Sequence, residues 1–278
     1  MAEDDPEQEG DGGGFSEAQV AEIEERSNPS TPVVYEVLRR EGEAEMSRPL
    51  ISLWWSGMAA GMSIGFSLIT EGILRTYLPD EPWRPLVARL GYAVGFLIVV
   101  LGRQQLFTEN TITAVLPVAK DFTLLNLARM GRLWSVVLIA NLAGCLVGAA
   151  LSGLPPTIPS EIQKAMLAIA REDLLPQPWL MLLRAIPAGF LIAAMVWLLP
   201  TAAQAQFHVI TLMTWLIAVG GFKHVVAGSF AMFDLVVSGQ LGLGAMITGF
   251  LLPVLAGNII GGTGLFALIS YGQVAKEI

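Results

Sequence analysis

Lys223 and His224 stand side by side inside a long apolar run from about Val209 to Val236, and both side chains can hold a charge or pass a proton. A charged residue at the middle of a bilayer costs on the order of several kcal/mol, so it normally faces a protein interior or a wet cavity and acts there on an ion or a proton. The alternative is a snorkelling lysine beside a packed histidine. At about 1.5 Å per helical residue, Lys223 is roughly 20 Å from either end of the run, beyond the reach of its side chain. The pair therefore predicts a transport path.

The composition is that of an integral membrane protein. The 278 residues are 54% hydrophobic and 14% charged, with a mean hydropathy of +0.60, which is too apolar for a soluble domain of this size. Acidic residues concentrate in 1–47, where EDDPEQEGDGGG predicts a disordered, water-exposed tail. No basic patch supports nucleic-acid binding. Cys145 stands alone in an apolar segment, so we expect no disulfide, no metal site and no cofactor.

Continuous apolar segments predict an all-α integral membrane fold with six transmembrane helices. Ahead of them, Thr31-Pro32 and an apolar stripe predict a short amphipathic helix at the membrane surface or the cytoplasmic face, within a cytoplasmic tail 1–47. The transporter domain is expected at 48–270 and a cytoplasmic tail at 271–278. An even number of spans places both termini on one side, and a slight excess of Arg and Lys favours the cytoplasm. The predicted segments are about 50–73, 90–118, 133–154, 178–200, 207–236 and 242–270.

Two of these segments are interrupted. In the second, residues 102–111 separate two apolar halves, neither of which is long enough to span about 30 Å alone. In the fifth, Gly220-Gly221 precedes the Lys223-His224 pair. Backbone broken at membrane depth is tolerated only where it is buried or lines a cavity, so the interruptions predict two broken helices. The alternative for the second segment is two separate helices joined by a hydrophilic loop.

The two breaks occupy corresponding positions in two halves of the sequence. Asn141-Leu142-Ala143-Gly144 is similar to Asn258-Ile259-Ile260-Gly261 at an offset of 117 residues, and the same offset carries Phe107 onto His224. Three spans in each half give the halves opposite membrane orientations. Broken helices at matching positions of an inverted repeat indicate a binding site near the middle of the membrane.

Three short motifs together resemble the formate/nitrite transporter family over roughly residues 50–270. They are Leu-Phe-Thr at 106–108 after a glycine-containing turn, Gly-Phe-x-His at 221–224, and GNIIGG at 257–262. The resemblance implies a six-helix protomer with an aquaporin-like inverted repeat, assembled as a homopentamer in the lipid of a bacterial inner membrane. It also implies one conducting path in each protomer for small monovalent anions such as formate or nitrite.

The resemblance also assigns roles to individual residues. The family's central pore histidine falls on His224, and the threonine of its mobile loop falls on Thr108, with Leu106 and Phe107 in the same loop. An apolar slit that ends at a proton donor can pass a weak acid in its neutral form, with His224 relaying the proton. Both a channel and a proton-coupled carrier remain open. The apolar constrictions of the family fall near Phe96 and Ile217 on one side and Ile192 on the other.

The polar surroundings of the histidine depart from the family pattern. Gln105 replaces an acid that usually lies three residues before the loop threonine, and Glu109 replaces a small residue after it. Lys223 replaces the acid that usually precedes the histidine. An expected asparagine aligns with Gly189, and a lysine expected at the outer vestibule aligns near Asp173.

Glu109 and Lys223 are opposite charges on the two broken helices. We expect them to form a buried ion pair, which would relieve the cost of burying each charge. The competing interpretation is that Lys223 attracts the anion directly and Glu109 faces a subunit contact.

Transport of small monovalent anions is therefore the function that the sequence predicts. A neutral-solute channel of aquaporin-like architecture is the alternative, although the Asn-Pro-Ala pairs typical of it are absent. An enzyme is not expected, because neither a His-Glu-x-x-His metal motif nor a serine nucleophile elbow is present.

Overall fold

The computed structural model describes residues 15–16, 18–19, 28–174 and 177–278. Thr31–Ile278 form one compact unit, and its described residues are helical with no strand. In the other unit, Met1–Ser30, the side chain of Gln19 accepts hydrogen bonds from the backbone N–H and the hydroxyl of Ser16 (2.9 and 3.2 Å). The predicted disorder of the acidic tail falls mostly on residues outside the described ranges.

Helices account for most of the compact unit, and we label them in chain order. Within the described residues, α2, α3, α5, α7 and α10 are long and apolar enough to cross a membrane, while α8 and α9 are shorter apolar helices. The helices are Thr31–Ser47 (α1), Leu50–Tyr77 (α2), Arg84–Leu101 (α3), 110–120 (α4), Leu124–Ser152 (α5), Ser160–Asp173 (α6), Pro178–Leu198 (α7), Gln206–Val219 (α8), Val225–Val237 (α9) and Leu243–Val274 (α10).

Every predicted apolar segment coincides with one helix or with a pair of helices. α3 and α4 flank residues 102–109, and α8 and α9 flank residues 220–224. α5 begins at Leu124, nine residues before the predicted 133, because Thr123 Oγ1 accepts the N–H of Asn126 (3.2 Å) and caps a polar first turn. α10 continues to Val274, past the predicted end of the membrane domain at 270.

The gap between the predicted segments 133–154 and 178–200 predicts a loop, but the structure contains the helix α6 there. Its buried residues Ile162, Met166 and Ile169 recur at spacings of four and three, which is an amphipathic helical pattern. This face packs on α2 and α9. Arg75 of α2 forms a bidentate ion pair with Glu172 near the end of α6 (2.6 and 2.8 Å). The long apolar segments on either side conceal this shorter, more polar helix.

α1 docks against the membrane helices within the same compact unit. Tyr35 is fully buried and its hydroxyl donates to the carbonyl oxygen of Leu116 (3.4 Å). Gly42 lies so close to the carbonyl oxygen of Thr113 that any side chain at position 42 would collide with it. α1 adjoins the first turn of α2, whereas α6 adjoins the last turns of α2. α1 and α6 therefore mark opposite ends of the unit, called here the α1 side and the α6 side.

Candidate functional site

Two fully buried asparagines hold the two breaks. In the first half of the unit, Asn141 of α5 accepts the backbone N–H of Phe107 through Oδ1 (2.9 Å). Its Nδ2 donates to the carbonyl oxygens of Gly57 (2.7 Å) and Gln105 (2.9 Å). The break leaves Gln105 and Phe107 without helical partners, so the asparagine satisfies backbone groups that would otherwise be buried and unpaired.

Asn258 of α10 forms the matching set of bonds in the second half. Its Oδ1 accepts the N–H of Val225 (2.8 Å), and its Nδ2 donates to the carbonyl oxygens of Ala185 (2.8 Å) and Lys223 (2.9 Å). Asn141 thus links the first break to α2, and Asn258 links the second break to α7. In each case this is the first membrane-length helix of its half.

These bonds correct the predicted correspondence between the breaks. The bonded N–H of Phe107 is 34 residues before its asparagine, whereas that of Val225 is 33 residues before its own. The offset is therefore 118 residues within the breaks, one more than between the asparagines. Leu106, rather than Phe107, corresponds to His224.

His224 and Thr108 meet where the two breaks approach each other. Nδ1 of His224 accepts the N–H of Ala227 (3.2 Å) and so caps α9, while Nε2 lies 2.7 Å from Thr108 Oγ1. Because a backbone N–H can only donate, Nδ1 is the acceptor, and the neutral imidazole carries its hydrogen on Nε2 and donates it to Thr108. The Thr108 hydroxyl keeps its own hydrogen for another acceptor.

Apolar side chains surround this polar contact. The rings of Phe96 and His224 pack edge to face, with centroids 5.0 Å apart at 80°. Phe107 packs in the same way on Trp134 at 5.7 Å. The other predicted pathway residues, Leu106, Ile192 and Ile217, are fully buried in the same hydrophobic core. Few water molecules can therefore compete for hydrogen bonds with the hydroxyl group of Thr108.

Gly189 of α7 serves close helix packing. A side chain at position 189 would collide with the backbone of Asn258, so no asparagine fits there. α7 and α10 approach at this small residue as membrane helices commonly do.

The structure corrects the predicted ion pair between Glu109 and Lys223. Lys223 Nζ lies 3.0 Å from Oδ1 of Asp173, the last residue of α6. Glu109 lines a cavity on the α1 side, whereas Lys223 lines a separate one on the α6 side with His224. Glu109 follows Thr108 on the first break, whereas Lys223 precedes His224 on the second. The two residues therefore lie on opposite sides of the Thr108–His224 contact.

Two residues that the sequence interpretation did not assign extend the Lys223–Asp173 pair. Arg89 of α3 lies 3.3 Å from Glu71 Oε2 through Nη1, and 3.7 Å from Asp173 Oδ1 through Nη2. Carboxylates and cations alternate along this outer charge cluster, defined as Glu71, Arg89, Asp173 and Lys223. Glu71 could have been singled out from the sequence, because it is an acidic residue inside the first apolar segment.

The α1-side cavity has a volume of about 420 Å³ and an acidic lining. Glu41, Glu45 and Glu109 line it together with Arg48 and Arg103. One carboxylate oxygen of Glu109 is buried without a hydrogen-bond partner among the described residues.

Glu45 connects α1 to the first break. Its carboxylate accepts hydrogen bonds from Gln105 Nε2 (3.0 Å) and Thr113 Oγ1 (2.8 Å). Burial raises the pKa of the Glu45 carboxyl above its ordinary value. Its two hydrogen bonds thus link α1 to Gln105 of the first break and to Thr113 of α4.

No group of His, Cys, Asp and Glu suited to a metal ion occurs within the part of the chain that the structure describes. Broken helices whose ends meet at a buried polar contact, with a cavity on either side, are typical of membrane channels and transporters. The fold and the site define a protein of this class, and a family model described as "Formate/nitrite transporter" matches residues 32–272. The chain belongs to the formate/nitrite transporter family.

Similar proteins agree with this assignment. Inner membrane protein YfdC of Escherichia coli is 43% identical over 258 residues, which cover 92% of this chain and 83% of that protein. Formate channel FocA of Haemophilus influenzae is 27% identical over 243 residues, which cover 77% of this chain and 84% of that protein.

Two solved structures share the fold at 20% sequence identity. A structure described as an FNT family ion channel has a TM-score of 0.73 and covers 87% of this chain and 98% of its own. A pentameric formate channel with formate bound has a TM-score of 0.69, with coverages of 82% and 98%. Membership of the formate/nitrite transporter family makes the protein a membrane channel or transporter and not an enzyme.

Proposed function

We propose that the protein conducts small monovalent anions of the formate and nitrite type across a bacterial inner membrane. The observation that carries this proposal is the 2.7 Å contact between Thr108 and His224 at the meeting point of two broken helices. Relatives described as formate channels support the substrate class. YfdC, described as an inner membrane protein, supports the location.

The protomer is proposed to have six spans in an aquaporin-like inverted repeat. α3 with α4, and α8 with α9, each count as one broken span. The matched hydrogen bonds of Asn141 and Asn258 support the repeat, since each fixes a break to the first helix of its own half. Both termini are assigned to the cytoplasm, which makes the α1 side the inner side. A pentameric structural neighbour supports a homopentamer with one path in each protomer.

The path is proposed to run from the α1-side cavity, past Leu106 and Phe107 of the first break, to Thr108 and His224, and then to the outer charge cluster. Buried apolar side chains near the contact strip water from the anion. The constrictions are assigned to Phe96 and Ile217 on one side of the contact and to Ile192 on the other.

Thr108 and His224 replace part of the anion's lost hydration. An anion that reaches the contact accepts the hydroxyl hydrogen of Thr108 or the Nε2 hydrogen of His224. Proton coupling adds one step, since an imidazolium needs a second hydrogen on Nδ1. That hydrogen requires the bond to Ala227 to open. It would also place positive charge at the N-terminus of α9, where the helix dipole opposes it.

The test is flux through proteoliposomes of formate, nitrite, hydrosulfide, acetate and chloride at two pH values. We expect flux of one or more of these anions, and a faster flux of weak acids at the lower pH supports entry of a proton with the anion. Flux of water or glycerol without any anion would instead establish the neutral-solute channel and refute the proposal.

A further inference from the structure

The outer charge cluster lies beside His224 and leaves little free space. Lys223, Arg89, Asp173 and His224 all line one cavity with a volume of about 30 Å³. One water molecule needs roughly 10–15 Å³ of such space, so the cavity has room for about two waters. A small anion that approaches His224 from the α6 side therefore finds little room while the Asp173 carboxylate is in place.

Asp173 occupies the position between the two cations. Its Oδ1 lies 3.0 Å from Lys223 Nζ and 3.7 Å from Arg89 Nη2. The carboxylate of an aspartate has the same chemistry and nearly the same size as a formate ion. A free carboxylate or similar oxyanion in this place would have the same two partners.

Asp173 has the most exposed side chain of the cluster. It is 28% exposed, against 23% for Arg89, 8% for Lys223 and 2% for Glu71. The Arg75–Glu172 ion pair holds the end of α6 in place, so rotation of the Asp173 side chain is enough to free the cations. A nearly buried lysine without a counter-ion is unfavourable, and Asp173 is expected to leave only as another anion arrives.

We propose that Asp173 is a tethered competitor for a small-anion site formed by Lys223 and Arg89, and that the permeating anion binds this site by exchange with the Asp173 carboxylate. The proposal rests on the proposed anion transport and identifies its binding site on the α6 side. Together with Glu71, Asp173 keeps the cluster neutral when no anion is bound, and Lys223 and Arg89 are then specificity-determining residues.

The test compares Asp173→Asn with Asp80→Asn in proteoliposomes. Asp80 is an exposed carboxylate that pairs with Arg84 at 2.8 Å, so its replacement removes an ion pair in which neither Lys223 nor Arg89 takes part. With the competitor removed, we expect the apparent KM for formate to fall about threefold or more. Asp80→Asn leaves the KM within twofold of the unaltered protein, and Asp173→Glu, which keeps a carboxylate at the site, lowers it less than Asp173→Asn does.

A binding measurement separates this proposal from transport itself. Thermal unfolding of the purified assembly is followed with and without formate. Asp173→Asn is expected to be less stable than the unaltered protein without formate and to regain stability as formate replaces the lost carboxylate. The same change combined with Lys223→Met removes that gain.

Failure of the two proposals gives different results. Anion flux in the unaltered protein with an unchanged or higher KM in Asp173→Asn would overturn the tethered-competitor proposal alone. An Asp173→Asn protein that does not assemble even in formate would also overturn it, since Asp173 would then be a structural link between α6 and α9. Absence of any anion flux from both proteins would refute the proposed function and this proposal with it.

Discussion

At the scale of single residues, the contact between Thr108 and His224 follows from the way each residue is held. His224 caps α9 through Nδ1, which fixes its ring and directs Nε2 at Thr108. Residue types and motifs were sufficient to identify both as candidates. The partner of Lys223 was not predictable, because Asp173 is 50 residues away at the end of α6, a helix that the apolar segments do not indicate.

Thr108→Val removes the acceptor for the imidazole hydrogen but keeps the shape of the side chain. We expect anion flux to fall about tenfold or more, because an unpaired buried donor costs about 1–3 kcal/mol and each 1.4 kcal/mol is about a factor of ten. Thr108→Ser should keep most of the flux. Thr248→Val on the exposed side of α10 is the matched control and should have little effect. Equal flux in the two valine variants would contradict the assigned role of Thr108.

Asn141→Ala and Asn258→Ala each remove three buried hydrogen bonds to backbone. We expect each to lower the free energy of unfolding by about 2–4 kcal/mol, because the backbone groups of the break remain buried. Thermal unfolding in detergent measures the loss. Thr123→Ala, which removes the side-chain cap at the exposed start of α5, should cost about 1 kcal/mol. A loss no larger than this control at either buried site would refute the role given to the two asparagines.

At the scale of elements, the apolar segments and both breaks were predictable, whereas the contacts of the polar helices were not. Continuous hydrophobic runs indicate membrane helices directly. α6 was overlooked although Ile162, Met166 and Ile169 form an amphipathic pattern. α1 was recognised from Thr31-Pro32, but its tight docking depends on Gly42 and Glu45, whose partners lie in another part of the sequence.

The docking of α1 is expected to strengthen as the pH falls. Burial raises the pKa of Glu45, so the docked state binds the proton more tightly than the undocked state. The contribution of the proton to docking is therefore fully present below the pKa of the undocked carboxyl and is lost as the pH rises through the raised pKa. Hydrogen exchange of the α1 amides, corrected for intrinsic rates, should show greater protection at the lower pH. Glu45→Gln should remove this dependence, whereas Glu43→Gln on the exposed face should keep it.

Gly189→Ala tests the close approach of α7 and α10. The added methyl group meets the backbone of Asn258, so we expect a loss of about 1–3 kcal/mol in the free energy of unfolding. Gly264→Ala in α10 is the control, because nothing lies within 4 Å of its added methyl group. It should be neutral or slightly stabilising in thermal unfolding, since alanine favours a helix more than glycine does. Equal unfolding temperatures for the two variants would contradict the packing argument.

At the scale of the whole molecule, composition and segment lengths predicted a helical membrane protein, and the motifs predicted its family. The charge arrangement needed the structure. Lys223 and Asp173 were both identified as departures from the family pattern, and their contact shows that the two departures compensate each other electrostatically. The sequence interpretation paired Lys223 with Glu109 because it considered only charges on the two breaks.

Formate uptake into proteoliposomes by His224→Ala and His208→Ala tests the central claim most directly. These are the two histidines of the chain, and His208 is exposed at the start of α8. The account predicts that His208→Ala keeps uptake within twofold of the unaltered protein, while His224→Ala lowers it about tenfold or more, because Thr108 and the anion lose a buried donor. Equal uptake by two folded, assembled variants would contradict the claim that the path passes His224.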